Sequence, residues 1–202
     1  MRRTAAAVIL IISLFLCCSG NRGTIEDASK AYTRGDYKTA YRFLKPLAEQ
    51  GNAYAQDYLG VMYEYGQGVP QDYAEAVKWF RKAAEQGNAP AQTNLGMMYE
   101  DGRGTPQDYT EAARWYRKAA DQGWPTGQGF LGALYTFGTG VPKDDVLAHM
   151  WLSLAISGLP PTSEVRTSMR RHRKIIALMM TPDQIAEAQK LAREWKPKME
   201  QK

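Results

Sequence analysis

Small and apolar residues recur along this chain at two periods, a short one of three to four residues and a long one of 36. Within residues 52–87 the short period places Ala55, Leu59, Met62 and Tyr63 at i, i+4, i+7 and i+8, the stripe of one helix face. This predicts a first helix, A, which Gly66, Gly68 and Pro70 then interrupt, because residues of these types so close together do not continue a helix. A second stripe of Ala76, Trp79 or Phe80, and Ala83 predicts helix B from about Tyr73. Asp72 stands at its N-cap, and Glu75 three residues on completes the pattern of a capping box. Gly87 falls just past its end, where a left-handed backbone costs glycine little.

The long period repeats this unit over 88–123 and again over 124–158. Leu59, Leu95 and Leu131 stay in step, as do Gly60, Gly96 and Gly132, and Tyr63, Tyr99 and Tyr135. So do Gly68, Gly104 and Gly140, Asp72, Asp108 and Asp144, and Trp79, Trp115 and Trp151. A fixed step of this size marks stacked supersecondary units. Gly60, Ala76, Ala83 and Ala84 are small enough for two antiparallel helices to approach closely, while Leu59, Tyr63 and Trp79 supply buried area. One such pair cannot bury its own face, so a row of pairs is needed to make a continuous core. The third copy departs in three places: Gly127 stands for Ala55 and Ala91, Ile156 for Ala84, and Gly158 arrives one residue early.

The pattern A-x-A-Q-x-x-L-G-x-x-Y, then G-x-G, then D-x-x-x-A-x-x-W-x-x-x-A-A-x-x-G resembles the Sel1-like repeat family, which is related to tetratricopeptide repeats. The resemblance implies an all-α fold: a right-handed α-α solenoid superhelix of stacked helix pairs, closed by C-terminal capping helices. It also implies a protein-binding function rather than an enzymatic one.

Residues 24–51 keep only half of the unit. Asp36, Tyr37, Ala40, Phe43, Ala48 and Gly51 align with helix B at the same step, but the first helix ends at Gly35 without a G-x-G loop. This resembles a tetratricopeptide helix pair acting as an N-terminal cap, with Pro46 expected to kink its second helix. After Gly158, Pro160 and Pro161 break the pattern, and 162–197 reads as two capping helices. Ser163 or Thr162 caps the first, which runs to about Met180. Thr181, Pro182, Asp183 and Gln184 start the second, Ile185, Ala188, Ala192 and Trp195 give its apolar face, and Pro197 stops it.

At the other end, Arg2 and Arg3 precede an uncharged run from Ala5 to Cys18 and then Ser19, Gly20 and Asn21. This reads as a secretory leader over 1–20, too short for a span of about 20 apolar residues. The protein is therefore expected to be exported, periplasmic or secreted. A lipoprotein is the competing reading, although Leu16 or Cys17 occupies the place where that motif wants a small residue. Cleavage near Gly20 removes Cys17 and Cys18, the only cysteines, and with them disulfide and thiol chemistry.

Composition changes this picture in one respect. With 44% hydrophobic residues the chain is rich enough to build a core, and its formal charge of +5 is unevenly placed. Residues 162–202 hold ten Lys or Arg against five Asp or Glu, and 21–161 hold fourteen against sixteen. The basic character thus centres on Arg166, Arg170, Arg171, Arg173 and Lys174, a solvated helix face or a patch for an acidic partner or lipid headgroups. Nucleic acid is excluded as a partner by the leader, which directs the chain away from it.

No catalytic, cofactor-binding or metal site is expected. The chain has no P-loop, dinucleotide fingerprint, zinc-protease motif or G-x-S-x-G, and the G-x-G pairs lie between helices with no strand before them. His149 and His172 lack partners at metal-ligand spacing. Glu100 with Asp101, and Asp144 with Asp145, lack the alternating ligands and central glycine of a calcium loop. Some relatives are described as penicillin-binding or β-lactamase-like, so a cell-wall-related or β-lactam hydrolase is the alternative function. The cysteine pairs of the cysteine-rich members and any S-x-x-K are missing here. A membrane-surface adaptor, held by the basic tail or a lipidated cysteine, is a further alternative.

The A helices are expected to line the concave surface. With Ala55 and Leu59 facing the core, about 100° per residue turns Tyr54, Asp57, Val61 and Glu64 outward. The matching positions are Pro90, Thr93, Met97 and Glu100, then Thr126, Gly129, Ala133 and Thr136. These twelve are the candidate contacts for a protein or peptide partner in the cell envelope. Gln56, Gln92 and Gln128 repeat without change, which points to a structural hydrogen bond.

Overall fold

The computed structural model describes residues 24–198, so the leader read over 1–20, with Cys17 and Cys18, lies outside the described residues. Ten α-helices and no strands occur among the described residues: α1 (Ile25–Thr33), α2 (Tyr37–Glu49), α3 (Ala53–Tyr65), α4 (Tyr73–Glu85), α5 (Ala89–Asp101), α6 (Tyr109–Asp121), α7 (Pro125–Phe137), α8 (Asp145–Gly158), α9 (Glu164–Ala177) and α10 (Pro182–Glu194). Each of α1 to α8 packs against the next, and α9 and α10 both pack on α8. This is the all-α solenoid of helix pairs that the repeat predicts.

The local signals that start these helices are met with one exception. Asn52 and Asn88 cap α3 and α5 by accepting from the N–H three residues on. Asp72 and Asp108 each accept two backbone N–H groups, and Asp144 accepts one from Leu147. The exception is the capping box at Asp72, because Glu75 turns outward to pair with Lys78 at 2.9 Å. A true capping box does form between Thr181 and Gln184. In the first pair, α2 continues through Pro46 to Glu49. In the third repeat, α8 runs through Gly158 as its last residue, so this glycine is not the left-handed stop that Gly87 and Gly123 provide.

The core follows from close approach. A Cβ added at Gly60 would lie 2.4 Å from the Phe80 ring, and one at Gly96 would lie 2.6 Å from Tyr116. Only a missing side chain lets these aromatic rings sit against the A helix. Phe80, Tyr116, Leu59, Leu95 and Leu131 are fully buried. Buried residues form two clusters that meet around Tyr63, one over α1 to α4 and one from α4 through α10.

Consecutive units are tied by three repeated devices. Gln56, Gln92 and Gln128 each donate to a helix B carbonyl of the preceding unit, at Ala48, Ala84 and Ala120. Gln86 and Gln122 in turn donate to Gln56 and Gln92, so each of these two junctions carries a linked pair of amides, the A-helix member buried. The second glycine of each G-x-G rests on the first residue of the preceding helix B: Gly68 on Tyr37, Gly104 on Tyr73, Gly140 on Tyr109. The residue between the glycines reaches back as well. Gln67 accepts from Tyr32, and Arg103 binds Glu64 at 2.9 Å.

Candidate functional site

What the stack leaves open on the A helices is a stripe at i, i+4, i+7 and i+11. In α3 this is Tyr54, Tyr58, Val61 and Tyr65, with Tyr54 65% and Tyr65 59% exposed. In α5 it is Pro90, Asn94, Met97 and Asp101, and in α7 it is Thr126, Phe130, Ala133 and Phe137. Of the residues expected outward, Tyr54, Val61, Pro90, Met97, Thr126 and Ala133 lie on this stripe.

The other six do not. Thr93, Gly129, Glu64 and Thr136 are buried, and Asp57 and Glu100 are held in hydrogen bonds within the fold. Asp57 accepts from Asn94 of the next A helix at 3.0 Å. A Cβ on Gly127 would lie 3.3 Å from the Thr93 hydroxyl, and one on Gly129 would lie 1.9 Å from Met169 of α9. Positions 57, 93 and 129 therefore form the seam to the following unit. Glu64 is taken by Arg103, Glu100 accepts from Tyr116, and Thr136 donates to the Gly132 carbonyl. An A helix in a stack packs on its own helix B, on the helix B before it and against the next A helix, so its open arc is rotated away from the seam by about one residue, or roughly 100°.

Clefts lie along this face. One of about 480 Å³ separates α1 from α3, lined by Ile25, Glu26, Ser29, Lys30, Tyr54 and Tyr58. A second of about 390 Å³ shares Tyr54 and continues past Asn88 and Pro90 to Gln122 and Trp124. A third of about 330 Å³ lies between α7 and α9, where Phe130 and Ala133 face Val165, Met169 and His172. The first two share Tyr54 and together form a path across the N-terminal ends of α3, α5 and α7. Its walls are aromatic rings, a proline and amides with few charges, which fits apolar and aromatic side chains flanked by polar backbone.

Trp124 is the residue in this path that the sequence reading gave no role. It stands where Asn52 and Asn88 cap their helices, makes no side-chain cap bond, and is 38% exposed. A capping side chain is worth about 1 kcal/mol, so the third repeat forgoes a local stabilisation and presents an indole instead. The sign of it in the sequence is the column Asn52, Asn88, Trp124. Tyr58, Tyr65, Phe130 and Phe137 were likewise missed, although Tyr54, Tyr58, Val61 and Tyr65 carry helical spacing of their own.

Asp57, in the seam beside this face, is a carboxylate whose titration the fold shifts. Burial pushes its carboxyl up to about 6, against a smaller opposing effect of the Asn94 bond. Its folded value is thus above its unfolded value of about 4, so the stability it contributes is present below about pH 4 and lost as pH rises through about 6. Asp57→Asn keeps an acceptor for Asn94 and removes the charge. At roughly 1.4 kcal/mol per pKa unit, the variant should gain on the order of 2 kcal/mol at pH 8 and nothing at pH 4. Thermal unfolding at the two pH values checks this; an equal change at both would mean that charge burial is not the cause.

The basic helix α9 is split. Arg173 donates to Ser153 at 3.0 Å and Arg166 is half-buried, while Arg170, Arg171 and Lys174 are exposed. His149 is buried, and burial with nearby Arg173 lowers its pKa. His172 stacks on Phe137 at 5.8 Å.

Comparison with known proteins places this geometry. The family model described as Sel1 repeat matches residues 22–52, 53–88, 89–124 and 125–158, so it reads α1 and α2 as a repeat of the same kind. Among solved structures, a Sel1 repeat protein from Oxalobacter formigenes is similar at 36% identity and a TM-score of 0.63, over 66% of this chain and 55% of that one. A second is c5321, a protective antigen present in uropathogenic Escherichia coli strains displaying an SLR fold. It is similar at 30% identity and a TM-score of 0.56, over 77% of this chain and 40% of that one. The chain thus spans only about half the length of these structures. No curated protein matches the sequence. Repeats of this type generally serve as protein-interaction scaffolds and typically without catalysis. With four matched repeats, the step of 36 residues and the stacked pairs all in agreement, the chain belongs to the Sel1 repeat family.

Proposed function

We propose that this protein is an exported, non-enzymatic scaffold that holds a protein or peptide partner of the cell envelope on its A-helix face. The observation that carries the reading is the path from Tyr54 and Tyr58 past Pro90 to Trp124. It is open and aromatic, and at Trp124 it replaces a helix cap that both other copies retain. A residue that forgoes local stability for an exposed ring is what a binding site produces. The leader read over residues 1–20 supports export.

Trp124→Asn separates binding from folding. It restores the cap of the other copies and should raise stability by about 1 kcal/mol. At the same time it should weaken capture of the partner from envelope extract, as should Tyr54→Glu, whereas Arg114→Glu on the exposed side of α6 should leave capture unchanged. If the same proteins are captured by all three variants, the A-helix face is not the binding surface; if the protein is absent from the envelope fraction, the proposed export fails instead.

A further inference from the structure

The turn joining α9 to α10 is an exposed apolar corner. Leu178 is 79%, Met179 59% and Ile175 53% exposed, the first being the highest value of any large hydrophobic side chain among the described residues. Between Glu164 and Asp183 the chain carries five cations, Arg166, Arg170, Arg171, Arg173 and Lys174, and no acid. Arg166 and Arg173 are half-buried, which leaves Arg170, Arg171 and Lys174 at the surface. At about 1.5 Å of rise per residue, Lys174 lies roughly 6 Å and Arg171 roughly 10 Å behind Leu178 along the helix.

We propose that this corner docks on an anionic membrane surface, Leu178 and Met179 entering the acyl boundary while Arg170, Arg171 and Lys174 meet the headgroup phosphates. The charge is complementary, and the depth of the cations behind the apolar tip matches the roughly 5 to 10 Å over which interfacial segments bury their apolar side. Long cationic side chains reach back to the headgroup layer along their own stems. An acidic protein is a poorer fit, since a stable interface needs about 800 Å² from each partner and this corner is a convex turn of three apolar side chains. The path from Tyr54 to Trp124 is lined by other residues, so membrane contact here leaves it open.

Cosedimentation of the full chain with lipid vesicles tests the proposal. Vesicles containing about one third phosphatidylglycerol should bind it, those of phosphatidylcholine alone should not, and added salt should release it. Leu178→Asp with Met179→Asp should lower binding at least about tenfold, as each acidic substitution disfavours entry into the bilayer interface. Arg171→Glu with Lys174→Glu should do the same from exposed helix positions that do not touch the core. Helical circular dichroism should be unchanged in both pairs, and the run Ala5–Cys18 is common to every variant, so it cannot produce a difference. Binding by both double variants equal to that of the unaltered chain overturns the proposal. So does loss of self-association in the variants with vesicle binding intact, which would make the corner a contact between two copies.

Discussion

Gly104→Ala should destabilise the protein by about 3 kcal/mol or more, a loss that only the equivalent Gly140 should match among single added methyl groups at the loop glycines. The backbone there has φ +71°, which costs an alanine about 1 to 2 kcal/mol. The added Cβ would also lie 2.2 Å from the Tyr73 carbonyl oxygen and 2.9 Å from the Ala74 nitrogen. These are backbone atoms of the first turn of α4, which Asp72 fixes through two hydrogen bonds, so they cannot move aside as a side chain end would. The loop must lift instead, taking Arg103 from Glu64, and overpacking of this kind costs a further 1 to 3 kcal/mol or so. Gly51 is the control: its φ is +94° but nothing lies within 4 Å of an added Cβ. Gly51→Ala should therefore lose only about 1 kcal/mol. Urea unfolding of the two variants decides the matter, because equal losses would show that backbone conformation alone matters and that the loops do not couple the units.

Tyr116→Ala should cost about 3 to 5 kcal/mol, the range for removing a buried aromatic ring. Tyr116 is fully buried, stacks on Phe130 of α7 at 5.0 Å, and fills the space left by Gly96 of α5. It is thus a side chain of α6 that joins the second repeat to the third, beside Arg117, which donates to Tyr135 of α7. Since a solenoid's stability is close to a sum of unit and interface contributions, losing this junction should broaden unfolding as the C-terminal units release first. Tyr116→Phe keeps the ring and removes only the hydrogen bond to Glu100, worth about 1 kcal/mol. Adding Gly96→Ala to Tyr116→Ala should recover part of the loss by filling the cavity. A cooperative transition of unchanged slope in Tyr116→Ala would contradict the role given to this junction.

The six repeat helices and their order were legible because the pair is written three times. A capping aspartate, an alanine stripe and the loop glycines at the same step leave little ambiguity, and Gln92 could be read as structural from its repetition alone. The open face was harder to read. Counting outward from Ala55 locates the side opposite helix B, but the neighbour that covers Thr93 and Gly129 comes from the next unit, and only the stacking geometry fixes its direction. Arg103 shows the same limit: its partner, Glu64, is 39 residues away and looked solvent-facing in its own helix. Trp124 was visible as a break in the asparagine column, yet its meaning depends on knowing that Asn52 and Asn88 are caps.

The central claim, that the A-helix face is where a partner sits, is tested most directly by photo-crosslinking in living cells from single introduced residues. Reporters at Tyr54, Tyr65 and Trp124 should give adducts with the same discrete protein, while reporters at Lys78 and Arg114, exposed on α4 and α6, should give none. Adducts of equal strength from both sets, or from Lys78 and Arg114 alone, would contradict the account and move the binding surface to the opposite side of the solenoid.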